Sequence, residues 1–399
     1  MSDAATLFPN PPAIQPGDAL EVSVVMPCLN EEKTIGACVA QALATLDRAG
    51  LRGEVIVADN GSTDDSVEIA RRLGARVVPV DRKGYGSALL GGFSAARGEF
   101  VIMGDADQSY DFTYIPAFVA KLREGFDLVM GNRIKGGIAP GAMPFLHRYA
   151  GTPVLTGVAR LFFGSAIGDI NCGMRGFRRE AILSLGLRTT GMELATEMVV
   201  KSAIFRLRIS EIPTTLQPDG RGRPPHLRTW RDGWRHLRFL MLYSPRWLFL
   251  YPGIGLMVAG SAVGAWLIPG PQTVHGVTFD LHTLLFMGLA VLLGFQCVMF
   301  AFFTKIFAIT EGLAPEDPRL NRMFRYATLE VGLVAGVALM AIGFAAWLGV
   351  LTTWGSRHFG PLDIDVTMRV TIPGAVLIAL GFQTLVSSLF LSVLGLARR

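Results

Sequence analysis

The chain has 399 residues, of which 51% are hydrophobic and only 17% are charged. This length is enough for two or three domains, and the apolar composition excludes a disordered, collagenous or fully soluble protein. The formal net charge of +5 fits a protein that contacts anionic lipid or phosphate groups. We expect no nucleic-acid partner, because DNA- and RNA-binding modules are seldom this apolar.

The first half of the chain alternates short apolar runs with amphipathic stretches. Residues 1–20 precede them, are rich in Pro and Ala, and lack the apolar run of a signal peptide, so we expect a disordered leader there. The pattern predicts strands at 22–26, 54–58, 76–80, 100–103 and 127–130, and helices at 32–49, 64–73, 87–96 and 114–124. This order is typical of an α/β fold with a mostly parallel sheet, which we place at residues 21–225.

The second half contains apolar runs long enough to cross a bilayer. We predict a transmembrane domain at 247–399 with four helical spans, at 247–268, 283–309, 329–354 and 370–396. Arginines lie between the second and third spans and at the C-terminus, whereas residues 269–282 contain no Lys or Arg. By the positive-inside rule, the first half and the C-terminus are expected in the cytoplasm, with the spans in a bacterial inner membrane. The glycine-rich spans also allow a homo-oligomer.

Residues 226–246 join the two halves. Leu227, Trp230 and Trp234 recur at helical spacing, and Arg231 and Arg235 line the other side. Such a helix can lie in the headgroup plane with its arginines facing lipid phosphates. The alternative is an ordinary surface helix that packs on the sheet.

Polar motifs follow the predicted strands. The run GDADQ at 104–108 places Asp105 and Asp107 just past the fourth strand, where two carboxylates can share one Mg²⁺ or Mn²⁺ ion. A DxD pair alone is weak evidence, because such pairs are common in loops. The runs PCLNEE at 27–32 and ADNGSTD at 58–64 follow the first two strands, where an open α/β sheet forms its ligand crevice.

A further turn, KGYG at 83–86, precedes a predicted helix and resembles a phosphate-binding turn. No glycine fingerprint of a dinucleotide-binding fold follows the first strand, so a nicotinamide enzyme is not expected.

In this order, and with the GNR at 131–133, these motifs resemble the GT-A glycosyltransferases of family two. The most similar branch is that of dolichyl-phosphate mannose synthases and polyprenyl-phosphate glycosyltransferases. The resemblance implies a Rossmann-like catalytic domain and a nucleotide-sugar donor. With the turns above, it places the donor against Pro27, Leu29, Asn30, Glu31, Asp59, Lys83, Gly84, Asp105, Ala106, Asp107 and Gln108.

The same resemblance implies four catalytic residues, with the metal held by the first two: Asp105, Asp107, Arg133 and Glu197. Glu193 can replace Glu197 near the sugar, because the two acids lie one helical turn apart. The implied contacts to a lipid acceptor phosphate are Arg133, Arg148, Arg221, Arg223 and His226. The basic segment at 221–226 departs from the family's serine–lysine form, which leaves open which of its residues meets the phosphate.

The function implied is metal-dependent, inverting transfer of one sugar from a UDP- or GDP-sugar to an undecaprenyl or dolichyl phosphate. One alternative is a processive polysaccharide synthase, since SPRW at 244–247 is similar to the end of that group's motif. Another is a transporter or flippase with a nucleotide-sensing domain. Product size and lipid flipping distinguish these alternatives.

Overall fold

The chain divides into two units, Met1–Tyr243 and Ser244–Arg399. The computed structural model describes residues 20–164, 167–221, 229–320, 322 and 328–396. The expected leader up to residue 19 lies outside the described residues, as do Arg223, His226 and the C-terminal arginines.

The first unit is built on a seven-stranded sheet in the order β3-β2-β1-β4-β6-β5-β7. Its strands are β1 Val22–Cys28, β2 Gly53–Asp59, β3 Arg76–Pro79, β4 Phe100–Met103, β5 Leu128–Asn132, β6 Arg175–Arg178 and β7 Ile209–Pro213. Strand β6 runs antiparallel to β4 and β5, and the other pairs are parallel. The mostly parallel sheet predicted from the sequence is therefore confirmed, although β6 and β7 were not predicted.

Helices cover both faces of this sheet. They are α1 Ile35–Arg48, α2 Ser66–Arg72, α3 Tyr85–Ala95, α4 Ile115–Arg123, α5 Arg133–Gly136, α6 Thr152–Phe163, α7 Arg179–Leu183, α8 Leu194–Ile204 and α9 Thr229–Leu242. Side chains alternate along a strand, so Val24 of β1 joins one core with Val39 of α1, while Val25 joins another with Leu89 of α3. Two cores thus fix the sheet and leave the carboxyl ends of β1, β2 and β4 for a site.

Helix α9 falls in the segment expected to lie in the headgroup plane. Leu240 on this helix is fully buried in the second core, and Leu237 packs against that core. His236 Nδ1 lies 2.6 Å from the Thr196 hydroxyl of α8. Trp234 is 56% exposed. Part of the apolar face of α9 therefore packs on the first unit, and Trp234 remains open to the surroundings.

Among its described residues, the second unit contains four helices long and apolar enough to cross a membrane, which confirms the predicted four-span region. A π-helical turn, Arg246–Leu250, precedes α10 Tyr251–Leu267. The other helices are α11 Leu281–Thr310, α12 Leu329–Ser356 and α13 Ile364–Leu396. Two short strands, β8 Gln272–Val274 and β9 Val277–Phe279, form a hairpin between α10 and α11. This is an integral membrane protein.

Glycines set the distance between the membrane helices. A Cβ on Gly253 of α10 would lie 2.8 Å from the Gly294 carbonyl oxygen of α11. A Cβ on Gly336 of α12 would lie 2.8 Å from the Gly381 carbonyl oxygen of α13. The helix backbones therefore approach closely where the side chain is only a hydrogen, as is usual for helices packed in lipid.

Candidate active site

The turns after β1 and β2 are joined through Asn30. This residue has a φ of 58°, and its backbone N–H donates to Ser62 Oγ at 2.9 Å. Its Oδ1 accepts from the Thr63 N–H at 2.8 Å. Asp59 ends β2, and its carboxylate accepts from the N–H groups of Gly61 and Ser62, each at 3.1 Å. Asn30 and Asp59 thus shape a crevice at the carboxyl ends of two adjacent strands.

The predicted phosphate turn at 83–86 is held in place by Asn60. The side-chain amide of Asn60 donates to the Val80 carbonyl at 2.9 Å, and its Oδ1 accepts from the Gly84 N–H at 2.7 Å. The Lys83 ammonium donates to the Asn60 carbonyl at 2.8 Å. Gly84 has a φ of 129°, and a side chain there would collide with the Thr190 carbonyl oxygen. Glycine is therefore required where this turn meets the loop before α8.

The two aspartates of the DxD motif differ in their surroundings. Asp105 Oδ1 accepts from the Tyr85 hydroxyl at 2.8 Å. Burial, and secondarily the charge of Asp107, raises the pKa of Asp105 to about 6. Asp107 Oδ1 accepts from the Ser109 N–H at 3.0 Å. A cation bound beside Asp105 would favour the charged form of this carboxylate.

Arg221 bridges the two ends of this crevice. Its Nε lies 3.0 Å from Glu31 Oε1, and its Nη2 lies 2.9 Å from Asp107 Oδ2. The preceding Gly220 N–H donates to the Asp107 carbonyl at 2.9 Å. The structure thus brings together three of the predicted residues. Arg221 was predicted to meet the acceptor phosphate, and here it pairs with two acids that were predicted to bind the donor.

Arg133 begins α5, directly after β5, and its guanidinium is held by Asp169. The Arg133 Nε donates to Asp169 Oδ2 at 2.7 Å and Nη2 donates to Oδ1 at 2.8 Å. Asp169 is fully buried and Arg133 is 8% exposed. This two-point contact occupies one edge of the guanidinium. Among the described residues, no hydrogen-bond partner occupies the Nη1 group, which leaves its donors for a ligand.

The other predicted residues lie as follows. Pro27 is within β1, and Leu29 just after it is 39% exposed. Ala106 is buried in the first core between the two aspartates. Gln108 is exposed with a φ of 65°. Arg148 lies on an exposed turn, 5.5 Å from the Tyr149 ring centroid, and forms no ion pair within the part of the chain that the structure describes.

Sequence comparison identifies the family. The profile named Glycosyl transferase family 2 matches residues 23–186, and the profile named Glycosyltransferase family 2 C-terminal transmembrane region matches residues 302–395. A low-salt glycan biosynthesis hexosyltransferase of Haloferax volcanii is 38% identical over 94% of this chain and 89% of its own length. The chain belongs to glycosyltransferase family 2.

Two further relatives each match about half of this family 2 glycosyltransferase. A dolichyl-phosphate hexose transferase of Haloferax volcanii is 35% identical over 48% of this chain and 81% of its own. An undecaprenyl-phosphate 4-deoxy-4-formamido-L-arabinose transferase of Salmonella paratyphi A is 30% identical over 48% of this chain and 58% of its own. These names agree with the branch that the motifs resemble.

Glu197, which was predicted to lie near the sugar, is enclosed by other residues of this chain. Glu197 is fully buried and accepts from the Thr189 N–H at 2.8 Å and the Arg188 N–H at 3.1 Å. Its other oxygen lies 2.9 Å from the Lys201 ammonium. Glu193, the alternative, has a buried Oε2 with no hydrogen-bond partner among the described residues. The geometry therefore makes Glu193 the acid with free acceptor capacity.

Three residues of the candidate site were not predicted from the sequence. Asn60 lies within the polar run at 58–64, so its position at a strand end could have marked it as a site residue. Tyr85 lies in the KGYG turn but carries no charge that would mark it. Asp169 is 36 residues from Arg133 in an irregular segment, and no local pattern indicates their pairing.

Proposed function

We propose that this enzyme transfers a single hexose from a nucleotide-sugar to a polyprenyl phosphate, with inversion at the anomeric carbon. The observation that carries the proposal is the grouping of Glu31, Asp107 and Arg221 beside Asp105 at the carboxyl end of the sheet. Acids that hold a metal–diphosphate and an arginine that neutralises phosphate are the parts this transfer requires. The similarity to a dolichyl-phosphate and an undecaprenyl-phosphate sugar transferase supports the acceptor class.

The residues present fit a divalent cation. Asp105 and Asp107 supply hard oxygen donors on one turn, and Asp105 Oδ2 receives no hydrogen bond from the described residues. Among those residues, no group of three or more His, Cys, Asp or Glu side chains could hold a metal. Mg²⁺ and Mn²⁺ are commonly held by one or two carboxylates plus substrate phosphates, so the pair suffices. The ion would supply positive charge to the departing diphosphate.

The chain's own residues then serve binding and charge stabilisation. An oxygen of the acceptor phosphate attacks the anomeric carbon, and the bond from that carbon to the diphosphate oxygen breaks with its electron pair on the leaving nucleoside diphosphate. The acceptor phosphate is already largely ionised at neutral pH, so no protein base has to remove a proton. The proposed task of Arg133, with its Nη1 donors free, is to bind the acceptor phosphate. Arg148, Arg223 and His226 remain proposed contacts to the same phosphate.

The test uses the full chain in detergent with radiolabelled UDP- and GDP-sugars, a short polyprenyl phosphate and Mn²⁺. We expect a chloroform-soluble product with one sugar per lipid. Asp107→Ala should lower the rate by about 100-fold or more, because it removes a charge-stabilising ligand of the transition state. Asp65→Ala is the matched control, since Asp65 is exposed and makes no side-chain cap. A long polymer, or full activity of Asp107→Ala, would overturn the proposal.

We also propose that the catalytic unit and the α11–α12 loop are cytoplasmic. The β8–β9 hairpin region at 269–282 contains no Lys or Arg. Arg357 and Arg369 lie between the third and fourth predicted spans and weaken the charge rule. Arg369 is ion-paired with Asp280 and donates to the Leu267 carbonyl. Its charge is thus neutralised inside the helix bundle. In intact cells, a membrane-impermeant maleimide should label His275→Cys and leave Glu316→Cys unlabelled, and the reverse pattern would contradict this orientation.

A further inference from the structure

Glu211 collects four hydrogen-bond donors at the edge of the sheet. It lies on β7 opposite Met130 of β5, and its side chain is 10% exposed. One oxygen, Oε1, accepts from the backbone N–H groups of Gly168 and Asp169. The other, Oε2, accepts from the Asn132 amide at 3.0 Å and lies 3.2 Å from the Lys135 ammonium.

These four donors come from two separate parts of the chain. Asn132 and Lys135 flank Arg133 in the turn that ends β5 and forms α5. Gly168 and Asp169 belong to the segment whose carboxylate holds Arg133. Glu211 therefore joins the arginine's own turn to the backbone that carries the arginine's partner.

The contacts around Arg133 leave its guanidinium little freedom. The Asp169 carboxylate accepts from Arg133 Nε and Nη2, and also from the Arg133 backbone N–H at 3.2 Å. Asp169 can hold this orientation only while its own backbone is fixed, and Glu211 accepts from that backbone at 3.2 Å. The direction of the free Nη1 edge therefore depends on Glu211.

We propose that Glu211 is a positioning residue: through Asp169 and Asn132 it sets the orientation in which Arg133 presents its free donors to a phosphate. The proposal rests on the proposed function in one respect, namely that the phosphate bound by Arg133 is that of the polyprenyl acceptor. It assigns to Glu211 no contact with substrate. A supporting carboxylate of this kind affects ligand affinity because the directly binding group loses its geometry when the support is removed.

The experiment compares Glu211→Gln with Glu54→Gln. Glu54 lies on β2, is 13% exposed, pairs with Arg76 at 2.8 Å and accepts from the Ser23 hydroxyl at 2.8 Å. The control therefore removes the same charge from a similarly buried, similarly bonded strand residue. Binding of a short polyprenyl phosphate is measured by calorimetry at constant detergent, together with the KM for each substrate and the melting temperature.

We expect Glu211→Gln to weaken binding of the polyprenyl phosphate about tenfold and to raise its KM by the same factor. The KM for the nucleotide-sugar should stay within twofold. Glu54→Gln should lower the melting temperature comparably and leave lipid-phosphate binding unchanged. Arg133→Gln should weaken lipid-phosphate binding at least as much as Glu211→Gln.

The two possible failures are distinguishable. If transfer occurs but Glu211→Gln binds the lipid phosphate as the parent does, the positioning role is wrong and the proposed function stands. If no lipid-linked sugar forms with any donor, yet both Glu211→Gln and Arg133→Gln weaken phosphate binding, the reaction is wrong and the positioning role stands. Equal loss of affinity in Glu54→Gln and Glu211→Gln would reduce Glu211 to a structural residue and overturn the proposal.

Discussion

The two units differ in where they keep their charges. In the first unit, charged side chains pair inside the protein, as in Glu197 with Lys201 and Arg133 with Asp169. In the second unit, the described ion pairs, such as Arg369 with Asp280 and Lys305 with Asp317, lie toward helix ends, and the described buried positions of α10, α11 and α12 are glycines and apolar residues. A lipid-facing bundle cannot support charge at its middle without cost, whereas a water-exposed domain can hold a charged network beside a crevice. We therefore propose that the chemistry belongs to the first unit.

The largest expected effect on stability comes from removing the charge of Glu197 in the first unit. Both Glu197 and Lys201 have side chains only 1% exposed, so Glu197→Gln leaves a buried ammonium without its counter-charge. We expect a loss of about 3–5 kcal/mol in the free energy of unfolding, measured by denaturant titration in detergent. Adding Lys201→Met should recover at least half of that loss.

Activity in the same variants separates structure from catalysis. If Glu197 only supports the loop at 188–191, transfer should return in Glu197→Gln/Lys201→Met as stability returns. Glu193→Gln should instead lower transfer with little change in stability, because its Oε2 has no hydrogen-bond partner among the described residues. A double variant that is stable but inactive would show that Glu197 meets the sugar after all.

In the membrane unit, the corresponding test changes the volume of a side chain between two helices instead of its charge. A side chain at Gly336 would meet the Gly381 carbonyl and the Leu385 side chain of α13, so Gly336→Leu must force the two helices apart. We expect a loss of about 1–3 kcal/mol, seen as a lower melting temperature in micelles. Gly349→Leu on the same helix is the control, since a Cβ there meets nothing within 4 Å. Equal destabilisation by both variants would show that the close contact is not what stabilises the pair.

The sequence predicted the parts of the fold that repeat a simple pattern. Strands β1, β2 and β4 are apolar runs, and the membrane helices are longer ones, so both were visible. Strand β6 could not be predicted, because its sequence, RGFR at Arg175–Arg178, is not an apolar run. It is held in the sheet by its pairing with β4 on one side and β5 on the other. Tertiary context overrides local preference in such a strand.

The site divides in the same way. Residues at or just past the ends of parallel strands, such as Asp59 and Asp105, could be placed because strand ends meet at one edge of the sheet. Their partners could not, because Asp169 and Glu211 reach the site through contacts between distant segments. Motifs show which groups meet a ligand, whereas the groups that orient them depend on the folded chain.

The smallest expected effect concerns Arg221, whose guanidinium bridges Glu31 and Asp107. A divalent cation bound to Asp107 would compete with this guanidinium for the same carboxylate. Arg221→Gln should therefore tighten Mn²⁺ binding about fivefold, equivalent to roughly 1 kcal/mol for a partly exposed ion pair. Electron paramagnetic resonance of free Mn²⁺ measures this affinity without donor or acceptor. Arg76→Gln removes an equal charge from the pair with Glu54 and should leave the affinity unchanged. Weaker Mn²⁺ binding in Arg221→Gln would mean that the arginine organises the aspartates and does not compete for them.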